Sequence, residues 1–283
     1  MKILSLLAAA VLFVPQAAGA QPVFDSHVHL WDGEKSLGEY EAQVKAAGLT
    51  VSGLGVMWFG GPNQAREGNP ADIAARNDAL IALAAKHQGV VPIATVHPYD
   101  GAGALEELQR VAGHGVRLLK IHPHTQRFDP ADPRVLTLVK RAGELGVIVV
   151  MDNANIVPGG DSEKLFNLAL AAPKTKFIFA HMGGLNFRFW NILKMARTAE
   201  GLFGDNVYFD ISAMVVLAAD APIEPEFIWT MRNVGIDHVL IASDYPQFSL
   251  KQTLDALEKL DLTAEEKAKL RGGNAQRLLG LPR

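Results

Sequence analysis

From Val23 onward the chain alternates short apolar runs with stretches whose apolar positions recur every three to four residues. The runs are Val23–Ser26, Thr50–Phe59, Val90–Val96, Val116–Ile121, Val147–Met151, Lys176–Ala180, Val207–Ile211 and His238–Ser243. Each is rich in Val, Ile, Leu or Phe, which predicts eight β-strands. The intervening stretches carry helix start signals. Asn69-Pro70 and Asp132-Pro133 each place a capping residue before a proline suited to the first helical position. After the second of these, Val135, Leu138, Val139 and Ala142 follow the i, i+3, i+4, i+7 pattern of one apolar helix face, and Gly146 ends it. Thr263 and Glu266 form a capping box, and Asn274 is expected to cap a last short helix.

Eight strands separated by helices predict a parallel sheet covered on its outside, and eight is the number that closes an α/β barrel of the (β/α)8, or TIM, type. An open doubly wound sheet would be expected to carry a Gly-rich phosphate loop after its first strand, and the sequence has none there. No repeat, linker or low-complexity tract divides the chain. A single domain over residues 21–283 is the expectation.

The first twenty residues read differently. Lys2 precedes an apolar run from Ile3 to Val14 broken only by Ser5, and Ala18-Gly19-Ala20 supplies a small-x-small cleavage pattern. This predicts a signal peptide over residues 1–20 and an exported protein, periplasmic or secreted; the run is too short to span a membrane. The chain contains no cysteine, which excludes disulfides, thiolate chemistry and cysteine metal ligation. A formal charge of −3 gives no sign of a nucleic-acid or membrane partner once the signal is removed. The expected partner is a small-molecule substrate, and a homo-oligomer stays open.

In such a barrel the C-terminal ends of the strands carry the chemistry. Six of the nine histidines (His27, His29, His97, His122, His124 and His181) lie at or just beyond a predicted strand end. Residues two apart on a strand share a side, so His27 and His29 can both face the barrel mouth. A lone His-x-His is a weak signal. With His181 ending the sixth strand and Asp244 the eighth, it becomes a nitrogen and oxygen donor set suited to Zn²⁺, Mn²⁺ or Fe²⁺.

The segment Phe24-Asp25-Ser26-His27-Val28-His29-Leu30-Trp31-Asp32 resembles the opening of the amidohydrolase superfamily, above all its branch of lactonases and non-oxidative decarboxylases. Leu119–Pro123, Phe179–Gly184, Ala242–Pro246 and Gly273–Gly280 follow in the matching order, so the resemblance spans the mature chain. It implies one divalent metal ion, zinc in the first instance with manganese or iron as alternatives. His27 and His29 would bind it. His181 would ligate it or polarise the substrate, and Asp244 would ligate it or accept the proton of an attacking water. Many relatives end the fifth strand with a histidine ligand, but here Met151 is followed by Asp152. Asp152 either supplies an oxygen in place of that imidazole, hydrogen-bonds a substrate hydroxyl, or marks a weakly held metal.

Lys120, His122 and His124 share one face of the fourth strand by their spacing of two. Three readings of Lys120 stand side by side: a carbamylated bridge between two metals, as the resemblance implies, a partner for a substrate carboxylate, or a buried ion pair. His122 and His124 are read as substrate contacts or as supports for the ligands. His97 is read as either a substrate contact or part of its loop. Arg188, with Trp190, is placed either over the mouth, where it would hold a substrate carboxylate, or on a helix surface. Asp210 and Ser212, ending the seventh strand, position substrate or cap a loop. The expected activity is a metal-dependent hydrolase acting on a small cyclic ester or amide, with non-oxidative decarboxylation of an aromatic or unsaturated acid as the alternative. A non-catalytic periplasmic binding protein is a third reading, motivated by the missing fifth-strand histidine. The loops Trp58–Asn69 and Asn153–Asp161 are expected to shape the pocket.

Overall fold

The computed structural model describes residues 22–154 and 161–281. The expected signal peptide and the greater part of the loop after Asn153 lie outside the described residues. Eight parallel strands pair in sequence order: β1 Val23–His29, β2 Val51–Met57, β3 Val90–Thr95, β4 Leu118–Ile121, β5 Ile148–Met151, β6 Phe177–Phe179, β7 Val207–Asp210 and β8 Val239–Leu240. Helices follow the strands and cover the sheet, giving the expected single (β/α)8 barrel.

The barrel closes between β8 and β1. Ser26 N–H donates to Ile241 O at 3.3 Å, Asp244 N–H to His27 O at 2.9 Å, and His29 N–H to Tyr245 O at 2.8 Å. β8 is shorter than the apolar run His238–Ser243 suggests, because a side chain takes over part of its ladder. Ser243 N–H donates to the buried carboxylate of Asp25 at 2.8 Å, and Tyr40 OH donates to the other oxygen at 2.9 Å. Burial pushes the Asp25 carboxyl up to about 6, and these donors pull against it.

Two apolar layers follow from the strand period of two. Val28, Val56, Leu119, Val149, Phe179 and Phe209 belong to the large cluster packed under the helices, while Phe24, Met57, Leu118, Ile148, Val150 and Leu240 form a smaller one. In β4 and β5 the smaller cluster continues along one face, from Leu118 to Lys120 and from Ile148 through Val150 to Asp152. β1 does not keep one parity. Its pairing with β2 shifts register between Asp25 and Val28, so Phe24 and Val28 join different layers. That shift turns His27 and His29, rather than Val28, toward the barrel axis.

The helix signals are largely as expected. Asn69 and Asp132 precede helices Pro70–Ala84 and Pro133–Glu144, Asp132 accepting Arg134 N–H at 2.8 Å whereas the Asn69 side chain makes no cap bond, and Val135, Leu138, Val139 and Ala142 are all buried. Thr263 and Glu266 form the capping box of helix Ala264–Ala268. Asn274 departs from the expectation. The chain passes through a π-helical stretch, Lys269–Gly273, directly into helix Asn274–Leu279, so no helix start is left there to cap. Its buried amide instead donates to Ile236 O at 2.8 Å and Val239 O at 2.6 Å, tying the C-terminal helix to the start of β8. Among the described residues no helix is long and apolar enough to cross a membrane.

Asn274→Ala leaves two carbonyls without their donor, one of them wholly buried. A loss of about 2–3 kcal/mol is expected in urea unfolding. An unchanged midpoint would show that this tie does not support β8.

Candidate metal centre

The donors gather where the strands end. His27 and His29 come from β1, Lys120 from β4, Asp152 from the residue after β5, His181 from beyond β6, Asp210 from the end of β7 and Asp244 from beyond β8. All of these except Asp152 are buried, and Asp152 is nearly so. His181 reaches its place through an unusual backbone. Four consecutive residues, His181, Met182, Gly183 and Gly184, have φ of 58°, 48°, 88° and 54°. Left-handed conformation costs an ordinary side chain energy and persists only where the surroundings hold it. Here His181 N–H donates to Asp210 Oδ1 at 3.1 Å. At Gly184 a Cβ would collide with the carbonyl of Ala154, so only glycine fits.

The second ring nitrogen of each imidazole shows which one faces inward. His27 Nδ1 lies 3.0 Å from Asp210 Oδ2, and His29 Nδ1 lies 2.7 Å from the Phe59 carbonyl oxygen. His181 Nδ1 meets the Ser212 carbonyl at 3.2 Å and Ser212 Oγ at 3.0 Å. Carboxylates and carbonyls only accept, so all three Nδ1 atoms carry hydrogen. In the neutral rings the lone pair is therefore on Nε2 and points inward. His122 is the reverse. Its Nδ1 accepts Thr125 N–H at 3.4 Å, which leaves Nε2–H facing Asp152 at 3.4 Å.

These assignments make a cation site. His27 Nε2 and His29 Nε2 lie 3.2 Å apart, and Asp244 Oδ1 lies 3.5 and 3.2 Å from them. Where both rings present a lone pair, three electron-pair donors face one another, an arrangement that favours a cation among them, and Lys120 Nζ, 3.4 Å from His27 Nε2, is the chain's own cationic group beside it. The separations also match the edge of a tetrahedron with metal–nitrogen bonds of about 2.0–2.1 Å, roughly 3.3 Å. Donor atoms of His27, His181 and Asp244 also fall within 4.8 Å of one another. The residues present therefore fit a single divalent ion.

Electrostatics support the same division. Burial holds the His27 imidazole down, with Lys120 adding to the effect, to about 4, so it is neutral near pH 7. Burial likewise lowers His122 to about 4. Burial alone would raise Asp244, Asp210 and Asp152. The neighbouring histidines outweigh it in all three, with Lys120 contributing at Asp152, and hold each carboxyl below the usual range. His181 is the exception among the imidazoles. Burial opposes its charge, but Asp152 Oδ2, 3.1 Å from Nε2, overrides this and raises it to about 9.

The residue-by-residue outcome is uneven. The structure brings together His27, His29, Lys120, His122, Asp152, His181 and Asp244. Lys120 Nζ is 3.4 Å from His27 Nε2 and 4.0 Å from Asp152 Oδ2. His124 is exposed beside His122, their ring centres 6.5 Å apart. Arg188 is elsewhere: its guanidinium pairs with Glu226 at 2.6 Å on the surface. Trp190 is fully buried and stacked on Phe179, and so is not over the mouth. His97 belongs to its loop, accepting Tyr99 N–H and meeting Gln126 O at 2.9 Å. Two contributors had no sequence signal, the Phe59 carbonyl and Gly60, where a Cβ would lie 2.6 Å from the His29 ring. Asp210 carried the right signal, a carboxylate ending a strand, but its target could not be read.

The amidohydrolase family model matches residues 24–281. The chain belongs to the amidohydrolase family. No curated protein matches it in sequence. Among solved structures it is similar to 5-carboxyvanillate decarboxylase from Sphingomonas paucimobilis, with 19% identity over 87% of this chain and 83% of that one and a TM-score of 0.67. It is also similar to a dihydroxybenzoic acid decarboxylase from Polaromonas with bound manganese and 2-nitroresorcinol, at 16% identity, 93% and 98% coverage and a TM-score of 0.65. A protein from Pseudomonas putida described as a 2-pyrone-4,6-dicarboxylic acid hydrolase gives 17%, 93%, 98% and 0.65. At these identities the likeness establishes the barrel and leaves this amidohydrolase's reaction to its own side chains.

The His181–Asp152 pair sets a pH dependence. Folded His181 holds its proton to about pH 9, against 6.5 for an ordinary imidazole. Its contribution to stability is complete below pH 6.5 and is lost as pH rises through 9. Urea midpoints of metal-free protein should fall across that window, and Asp152→Asn should flatten the slope. A variant with the wild-type slope would remove Asp152 as the cause.

Proposed function

We propose that this amidohydrolase is a metal-dependent hydrolase that adds water to the carbonyl of a small cyclic ester or amide. The observation that carries the reading is the placement of Asp244: its carboxylate closes the donor triangle with His27 and His29 and is held ionised, as a general base must be. His27, His29 and Asp244 would hold one divalent ion, zinc, manganese or iron, with His181 beside them. When bound, such an ion lowers the pKa of water and acts as a Lewis acid.

The remaining roles belong to the chain's own groups. Asp244 takes the proton of the attacking water and returns it to the leaving oxygen or nitrogen. His181, kept protonated by Asp152, supplies a fixed positive charge beside the site that stabilises charge developing on the carbonyl oxygen. Lys120 and His122 approach the same oxygen, Asp152 Oδ2, that faces His181, and so help hold it in place.

A second reading rests on one feature, Lys120. An ammonium group 3.4 Å from a metal-ligand nitrogen suits a substrate carboxylate. With decarboxylases among the similar structures, this favours loss of CO₂ from an aromatic or unsaturated acid, His181 then delivering a proton to carbon.

A panel of lactones, cyclic amides and aromatic acids run in H₂¹⁸O separates the two. One ¹⁸O in the ring-opened product supports hydrolysis, and CO₂ release with no label in the organic product supports the lyase. In either case Asp244→Asn should lower kcat by about 10²–10⁴ while the fold is retained. Full turnover by that variant would overturn the assignment of Asp244. Export is part of the same proposal, a secreted enzyme acting on small scavenged molecules. Intact mass of the protein from its native host should show a mature chain beginning at Gln21, and a retained Met1 would refute it.

A further inference from the structure

The carboxylate of Asp210 has two unlike sides. Oδ1 receives three donors: Ser212 Oγ–H, Ser212 N–H at 3.1 Å and His181 N–H at 3.1 Å. Oδ2 receives one, the His27 Nδ1–H at 3.0 Å. Asp210 and Ser212 are both fully buried, so water does not compete for these bonds. One side chain on β7 thus holds the left-handed turn that presents His181 and also backs a ring on β1. His29 needs no such partner, because a main-chain carbonyl backs it.

We propose that Asp210 is the positioning residue that selects the His27 tautomer, placing hydrogen on Nδ1 so that the Nε2 lone pair is offered to the cation site. The choice is not forced by the ring itself. With hydrogen on Nε2, His27 would instead donate toward Asp244 Oδ1, 3.5 Å away, and the donor triangle would lose a corner. Asp210 Oδ2, the acceptor behind Nδ1 at 3.0 Å, opposes this directly, and the Lys120 ammonium, 3.4 Å from Nε2, can only donate to it from the other side. The consequence for metal rests on the reading of His27 as a ligand. The tautomer itself does not.

The asymmetry of the carboxylate makes the test directional. In Asp210→Asn the amide oxygen belongs on the side with three donors, which turns the NH₂ group toward His27 Nδ1. Two donors cannot face each other, so the ring should move its hydrogen to Nε2. Long-range ¹H–¹⁵N correlation spectra of the metal-free protein read the tautomer directly, and titration with Mn²⁺ reads affinity. The wild type should show His27 with hydrogen on Nδ1. Asp210→Asn should show it on Nε2, with Mn²⁺ affinity reduced roughly 10- to 100-fold. Ser212→Ala, which removes one donor from Oδ1 and leaves Oδ2 alone, should retain the wild-type tautomer and affinity; a switch there would overturn the assignment to Asp210. A wild-type spectrum with hydrogen on Nε2 overturns the proposal without any variant, as does an Asp210→Asn spectrum unchanged from wild type. Wild-type protein that takes up no Mn²⁺ would instead refute the metal reading and leave the tautomer to be decided by the spectra.

Discussion

The seam between β1 and β8 is the contact on which the rest of the molecule depends. Closing a barrel requires its last strand to pair with its first, and here that pairing extends into the mouth through the backbones of His27, Asp244, His29 and Tyr245. The hydrogen bonds that complete the barrel therefore also set the spacing of three donor groups from two ends of the chain. Asp25 reinforces the seam from below by accepting Ser243 N–H. Because folding and site assembly share these bonds, the donor triangle is preorganised by closure, which holds the atoms together against their mutual repulsion.

That arrangement concentrates charge where water is scarce. Lys120, Asp152, His181, Asp210 and Asp244 would each be costly to bury alone, and each is tolerated because another offsets it. The resulting network trades stability for placement: well-packed apolar residues in the same volume would stabilise the barrel at least as well but could bind nothing. Asp152 illustrates the trade. Its carboxylate binds His181, His122 and Lys120 together and keeps His181 protonated.

Much of this was legible in the sequence because it rests on local periodicity. Eight apolar runs, Pro133 at a helix start, the capping box at Thr263 and the strand-end histidines are patterns within a few residues of chain. The parts that were not legible depend on three-dimensional neighbours. Nothing near Asp210 in sequence announces His27, 183 residues away. The register shift in β1 that turns His27 and His29 inward arises from pairing with β2, and the Phe59 carbonyl contributes through its backbone. Trp190 and Arg188 show the opposite case. They lie two residues apart after His181, yet one is packed in the core and the other paired on the surface, because residues two apart on a helical turn do not share a face.

The support behind His29 has a consequence for how such a site can change over generations. A main-chain carbonyl is present whatever side chain residue 59 carries, so substitution there cannot remove the acceptor, although the neighbouring Gly60 must stay small because a Cβ would meet the His29 ring. His27 has no such protection, since its backing oxygen is encoded at one position. Of the two first-strand imidazoles, His27 is therefore the one whose orientation a single substitution on the seventh strand can release.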